Sequence, residues 1–405
     1  MQTLVGLLLL LLIAFVGSHS LRSRWNPPPS IRRLFDSGLV FLLLGVAIGP
    51  NGLDWISDEA LDRTGPLIVF GLGWIGLLYG AHLEWRRLRR AAARLWAAAF
   101  GQSIITFALV LNGSWFFLAR YFPDVYSPVL FAAAVTLAAC AAGTAPSTVF
   151  QLAGRPGLTR PVARTMRIIT SVDDVPGLIA FGLLLAFFPA ATPGSPHWQA
   201  GLALAGLTVG VGVLFGLLLK TLLVEARDEQ VTLLVLLGVA GLAAGLAAML
   251  QLSSIFVGLV AGVTFVNSSA KKEGVFALLA ASEHTIYVLF LVLVGCHWTF
   301  RVQHLLPLAA VYLAARTVGK VLGGAAAHAV LGGPGGRIWL SGFALLPQGG
   351  IAVALVVNYQ HVYPSGVTPL IMTVLIVGLL ANELLGSRLA DIPFGRSAPR
   401  NEGGS

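Results

Sequence analysis

Apolar blocks long enough to cross a bilayer recur along almost the whole chain, and no other feature restricts its fold as strongly. A hydrocarbon core of about 30 Å takes about 20 residues of helix to cross. Within it every backbone N–H and C=O must find a partner inside the protein. Hydropathy and its breaks place thirteen spans, approximately at 3–17, 34–50, 64–83, 94–119, 128–152, 162–188, 198–222, 231–250, 252–267, 275–298, 303–331, 338–360 and 366–386. Of the 405 residues 57% are hydrophobic and only 11% charged, whereas soluble domains are about a quarter charged. The expected fold class is an all-α polytopic membrane protein with about 13 transmembrane helices. The same pattern excludes a secreted disulfide scaffold, a cytosolic enzyme and a disordered chain.

A formal net charge of +9 invites a nucleic-acid reading, so the placement of the cations has to decide. One set of alternating loops holds Arg22, Arg24, Arg32, Arg33, Arg86, Arg87, Arg89, Arg90, Arg94, Arg155, Arg160, Arg164 and Arg167. The same side takes Lys220, Arg227, Lys271, Lys272, Arg337, Arg388, Arg396 and Arg400, which makes 21 of the 26 Lys and Arg residues. The opposite side has Arg63, Arg120 and Arg301, and Arg316 and Lys320 fall inside a span. That asymmetry is the positive-inside rule, and it predicts an outside N-terminus and a cytoplasmic C-terminus in the plasma (inner) membrane. The basic charge is topology, so no nucleic-acid partner is expected.

The first span has no basic segment before it, and its Arg cluster follows, so it reads as an uncleaved anchor and not as a signal peptide. Cys140 and Cys296 lie within or at the edge of apolar spans and read as small hydrophobic fillers. Residues 1–387 are expected to form one transmembrane domain, with 388–405 a short disordered cytoplasmic tail. No soluble domain of any size interrupts the spans, so the work of the chain is expected to be done within the membrane.

An ionisable group at the bilayer centre costs about 2.5–3.5 kcal/mol even on the lenient insertion scale, so each one is a functional candidate. Asp173 and Asp174 sit side by side in span six, roughly 17 Å from its start at 1.5 Å per residue. Adjacent helical positions point about 100° apart, so one carboxylate can face a cavity while the other meets a partner. The plainer alternative has the pair capping a helix that starts at Ser171. Lys320 lies near the middle of span eleven with Arg316 one turn away on the same face. Two buried carboxylates and a buried ammonium make an Asp–Lys pair the economical solution. Glu283 and His284, after Lys271, Lys272 and Glu273, read as interfacial. Glu84, His82 and Glu383 sit at span ends.

Two spans carry a proline and small residues at mid-depth: Gly143-Thr144-Ala145-Pro146-Ser147-Thr148 in span five and Leu346-Pro347-Gln348-Gly349-Gly350 in span twelve. Such interruptions survive in lipid only where the freed backbone lines a cavity or packs on protein. Paired breaks in two halves point to a transporter's substrate site. Spans two to six and nine to thirteen each hold five helices, an odd number, so residues 34–188 and 252–386 would be inverted repeats, linked by the helices over 198–250. Carboxylates with hydroxyl and carbonyl oxygens suit a hard monovalent cation and also take protons. Competition between the two at one site, exposed alternately to each side, gives antiport.

From about residue 25 to 386 the chain resembles the monovalent cation:proton antiporter superfamily, in its bacterial double-Asp branch. The likeness is carried by Pro28-Pro29 to Gly38, Gly45, Gly49-Pro50-Asn51-Gly52-Leu53, Gly80 to Arg90 and Thr144-Ala145-Pro146-Ser147. It continues through Asp173-Asp174 with Gly177-Leu178, Leu252 to Asn267, Val292 to Gly295, and Arg316-Thr317-Val318-Gly319-Lys320. The resemblance implies a homodimer whose mobile core carries the ion by an elevator motion. It makes Asp174 the principal ligand of cation and proton, Asp173 the salt-bridge partner of Lys320, and Thr144 and Ser147 donors of oxygens. It implies electrogenic exchange of protons for sodium. Pro347-Gln348-Gly349-Gly350 departs from the Pro-Arg-Gly-Glu of many relatives, His82 stands where a Glu is common, and the nucleotide-binding domain of the potassium-efflux relatives is missing. Potassium or lithium in place of sodium, or a sodium-coupled organic-anion carrier on the same scaffold, are the alternatives. A gated channel is a weaker one. No cofactor is expected beyond the transported ions. An enzyme is not expected either, since no metal-ligand spacing occurs.

Overall fold

In the computed structural model of the chain, the residues described are 39–89, 92–145, 160–188, 198–224, 228–269, 272–298, 303–331, 342–363 and 365–389. Their regular structure is helical throughout, with no strand among them. The first span and the tail from 390 lie outside the described residues, as do Pro146 and Ser147.

The helices are α1 (Leu39–Ile48), α2 (Asp58–Asp62), α3 (Gly65–His82), α4 (Trp85–Leu88), α5 (Ala93–Tyr121), α6 (Ser127–Ala142), α7 (Arg160–Val172) and α8 (Asp174–Phe187). They continue as α9 (Trp198–Leu223), α10 (Glu229–Met249), α11 (Ser254–Ser268), α12 (Lys272–Cys296), α13 (Leu305–Leu331), α14 (Gly350–Val362) and α15 (Thr368–Leu389). Among the described residues seven stretches are long and apolar enough to cross a membrane: α3, α5, Ile168–Phe187 across α7 and α8, α9, α10, most of α12, and α13. Four shorter apolar helices lie at spans five, nine, twelve and thirteen, and α1 lies at span two. The chain is a multi-pass α-helical membrane protein. Spans five and twelve are short because their helices stop at the breaks read from the sequence. α12 runs unbroken from Lys272 to Cys296, so the stretch expected at the interface is the first half of a continuous helix that holds Glu283.

The described helices sort into two units. One holds α1 to α4, α9 to α12, the end of α8, most of α14 and the start of α15. Its packing follows from what drives helices together in lipid: apolar burial offers no gain there, so association depends on close van der Waals contact across small residues. A Cβ on Gly258 would lie 2.1 Å from Gly73 O, and one on Gly76 would lie 2.1 Å from Ile255 O. α3 and α11 therefore touch backbone to backbone. In the same way α1 meets α12, where a Cβ on Gly45 would lie 2.2 Å from Val292 O. Asn267 on α11 ties off the end of α3: its Oδ1 accepts from Trp85 N at 2.7 Å and its Nδ2 donates to Leu83 O at 3.0 Å. Leu207 and Leu214 of α9 and Leu234 and Leu242 of α10 are exposed, as lipid-facing side chains should be.

The second unit holds α5, α6, α7, the start of α8, α13, the segment from Gly342 to Ala352 and the rest of α15. α5 and α13 form its spine. A Cβ on Gly319 would lie 2.7 Å from Thr106 Cα, and one on Gly323 would lie 2.8 Å from Gln102 O. This contact presses the face of α13 that carries Lys320 onto the polar face of α5.

Candidate functional site

The double Asp stands at a break in its own span. Pro176 has no N–H to give the carbonyl four residues back, at Val172, and its ring crowds that carbonyl. α7 accordingly ends at Val172, Asp173 is a one-residue turn, and α8 starts at Asp174. Asp173 N still donates to Ile169 O at 3.0 Å, so the two helices form one bent span. Ser171 lies within α7, so no helix starts there, and the Asp pair stands instead at the start of α8. Both carboxylates are buried, Asp173 at 0% exposure and Asp174 at 8%.

Asp173 Oδ2 accepts from Lys320 Nζ at 3.3 Å, from Thr144 Oγ1 at 2.6 Å and from Gln102 Nε2 at 3.0 Å. Ser103 Oγ donates to the Asp173 carbonyl at 2.6 Å. The Lys320 ammonium spends its other two protons on Ala142 O at 2.5 Å and Thr144 Oγ1 at 2.9 Å. The Asp–Lys pair expected from the sequence is formed, at 0% exposure on both sides. Asp174 points elsewhere, as neighbouring helical positions must. Its Oδ1 lies 1.6 Å from where a Cβ on Gly143 would stand.

The unwound segments supply the rest. α6 stops at Ala142, leaving carbonyls that the helix no longer satisfies at the negative end of its dipole. Cations take them: Lys320 holds Ala142 O, and Arg316 Nη2 donates to Gly143 O at 3.1 Å. Arg316 Nη1 donates to Leu346 O in the second break. One guanidinium thus ties the two breaks together, and its hydrogen bonds run to carbonyls. The breaks also bond directly, Ala145 N donating to Pro347 O at 2.9 Å. Gln348 is buried at 4% exposure. Its Nε2 donates to Cys140 O at 2.9 Å and to Tyr312 Oη at 2.8 Å, while its Oε1 accepts from Asn382 Nδ2 at 3.2 Å. Gly349 lies between Gln348 and the first residue of α14.

Of the site residues read from the sequence, Asp173, Asp174, Thr144, Lys320, Arg316, Pro347, Gln348 and Gly349 fall in one unit, and most of them meet directly. Pro146 and Ser147 lie outside the described residues. Sequence reasoning missed Gln102 and Ser103 on α5, and Tyr312 and Asn382 around Gln348. The available signal was a polar run of Gln102, Ser103 and Thr106 at helical spacing inside an apolar span. Cys140, read as a filler, donates its thiol proton to Ala352 O at 3.4 Å.

Gly143 gives this geometry its sharpest test. Gly143→Ala places a methyl on the Asp174 carboxylate, which has to leave. Displacement of a reacting group by about 1 Å costs on the order of 100-fold. Cation-driven proton flux in proteoliposomes is expected to fall by about that much, while the variant still elutes as a single species. Wild-type flux in this variant would remove Asp174 from the site.

Buried opposite charges set between two broken helices define the chain as a membrane protein of the transporter type. The model of the sodium/hydrogen exchanger transmembrane family matches residues 7–385, and the chain belongs to that family. Among solved structures it is similar to the sodium proton antiporter MjNhaP1 from Methanocaldococcus jannaschii at pH 8, with 19% identity, 97% of this chain and 99% of that chain covered, and a TM-score of 0.68. An electron-microscopy structure of MjNhaP1 from the same organism matches at 19% identity, 98% coverage of each chain and a TM-score of 0.59. No curated protein sequence gives a significant match.

Proposed function

We propose that the chain is a secondary transporter exchanging protons for a small monovalent cation, sodium above potassium or lithium, by alternating access. The observation that carries this is the charge balance of the buried cluster. Asp173 and Asp174 oppose Lys320 and Arg316, and the formal charges cancel. A cation entering such a site leaves one positive charge too many in a place that excludes water. Uncompensated buried charge costs several kcal/mol, so the cluster takes one added charge, a proton on Asp174 or a cation, and not both, and the arriving cation releases that proton. Exchange is then a consequence of electrostatics.

The family description and the antiporter name carried by MjNhaP1 support sodium. The carboxylate oxygens of Asp173 and Asp174, with the Thr144 hydroxyl at 2.6 Å from Asp173 Oδ2, agree with a hard cation. In support of two inverted repeats, α1 packs on α12 and α3 on α11, and these two pairings exchange when spans two to six are swapped with nine to thirteen. An electrogenic cycle, a homodimer, a plasma (inner) membrane location and a cytoplasmic C-terminus complete the proposal.

Proteoliposomes with an acidic interior and a pH dye test it. Addition of outside sodium is expected to alkalinise the lumen, lithium and potassium to do so less, and choline not at all. Silence with all of these ions would remove the antiporter reading and favour the organic-anion carrier.

A further inference from the structure

Among the described residues, two buried oxygens beside the Asp–Lys pair have no hydrogen-bond donor, Asp173 Oδ1 and Gln102 Oε1. Both side chains are enclosed, at 0% and 1% exposure. They are also joined, since Gln102 Nε2 donates to Asp173 Oδ2 at 3.0 Å. The contrast within one carboxylate is sharp: Oδ2 accepts from Lys320, Thr144 and Gln102, and Oδ1 accepts from none. Buried polar atoms are nearly always paired, so two orphaned acceptors on linked side chains need an account. Of the nearby donors Lys320 and Ser103 are committed, and Arg316 Nε, itself without an acceptor, leaves Asp173 Oδ1 unbonded. Lys320 uses its three protons on Ala142 O, Thr144 Oγ1 and Asp173 Oδ2, and Ser103 gives its own to the Asp173 carbonyl.

The position of Gln102 is held from both sides. Thr106 Oγ1 donates to its backbone carbonyl at 3.0 Å, and Gly323 brings α13 against that carbonyl. The amide head therefore has a fixed place beside the carboxylate. A neutral carbonyl there offers a cation one more oxygen without adding charge to a cluster whose formal charges already cancel. The charged groups around it are Asp173, Asp174, Lys320 and Arg316.

We propose that Gln102 Oε1 and Asp173 Oδ1 are ligands of the transported cation at its most deeply bound, dehydrated position, and that Gln102 sets the choice among small cations. This rests on the antiporter reading above. Hard monovalent cations of different radius differ in how many oxygens they need and at what reach. A single added carbonyl is therefore a specificity element.

The test uses the purified full-length protein and two variants of similar length. Gln102→Met removes both the oxygen and the N–H; Gln102→Glu keeps an oxygen at the same reach, removes the N–H and adds a carboxylate charge that a bound cation offsets. A ligand bound only by the native state raises the melting temperature by mass action. Sodium replacing choline is expected to raise Tm of the wild type and of Gln102→Glu, and to leave Gln102→Met unshifted. In proteoliposomes Gln102→Met is expected to need at least about tenfold more sodium for half-maximal flux, the scale on which metal affinity responds to losing a supporting group. Its preference among lithium, sodium and potassium should also change. A wild-type sodium shift in Gln102→Met would assign the two oxygens to a bound water and overturn the proposal. Equal loss in Met and Glu variants would assign Gln102 to hydrogen-bond donation alone, with the same consequence. Loss in Asp174→Asn with retention in Gln102→Met leaves the antiporter reading standing and removes this one. No shift with any small cation in the wild type removes both.

Discussion

Asp174→Asn is expected to reduce proton flux with every small cation to that of empty liposomes. Of the two neighbouring carboxylates, Asp173 is committed to Lys320, Thr144 and Gln102 at 0% exposure, while Asp174 keeps 8% exposure against Gly143. The substitution conserves volume and removes both the charge and the proton-accepting oxygen. A buried amide cannot exchange a proton for a cation at any working pH, so raising the cation concentration is not expected to rescue transport. The fold is expected to survive, because replacing a charged group by a neutral isostere takes nothing from the packing. The measurement is dye-reported flux at several pH values, beside a melting curve of the same preparation. A folded variant with wild-type flux would end the assignment of Asp174 as the exchanging group.

Lys320→Gln is expected to act on stability and on electrical behaviour together. It leaves the Asp173 carboxylate in place, fully enclosed and without its cation. Breaking a buried pair from one side costs about 3–5 kcal/mol, because the remaining charge is uncompensated. The ammonium also loses its bonds to Ala142 O and Thr144 Oγ1, so the end of α6 is weakened as well. The melting temperature should fall, and Asp173→Asn in the same chain should return much of the loss, since the orphaned charge is then gone. Transport through Lys320→Gln is expected to stop responding to an imposed membrane potential while still following ion gradients. A variant with unchanged melting temperature and unchanged potential dependence would show that the pair couples nothing.

Much of this site was legible because lipid makes charge conspicuous. Asp173, Asp174, Arg316 and Lys320 stand out in apolar spans, and Pro146 and Pro347 mark the two interruptions without any tertiary knowledge. The paired breaks also account for the shortness of α6 and α14. Gln102 and Ser103 did not stand out, because neutral polar side chains are tolerated inside spans at little cost. Nor did the sequence reveal that Arg316 bonds the carbonyls of Gly143 and Leu346. Arg316 lies one turn of helix from Lys320 on the same face, yet the two cations meet different atoms. The Gln348 amide was visible only as a lost charge, and its bonds to Cys140, Tyr312 and Asn382 depend on three helices arriving together.

The sequence by itself determined the multi-pass helical class, the places of the two breaks and which charged residues lie within apolar spans. Each of these follows from a local comparison of one segment with the thickness and polarity of a bilayer. Only the tertiary structure decided which oxygen meets which cation. Those choices depend on how closely backbones approach across Gly143, Gly319 and Gly323, and a close approach is a property of two segments at once.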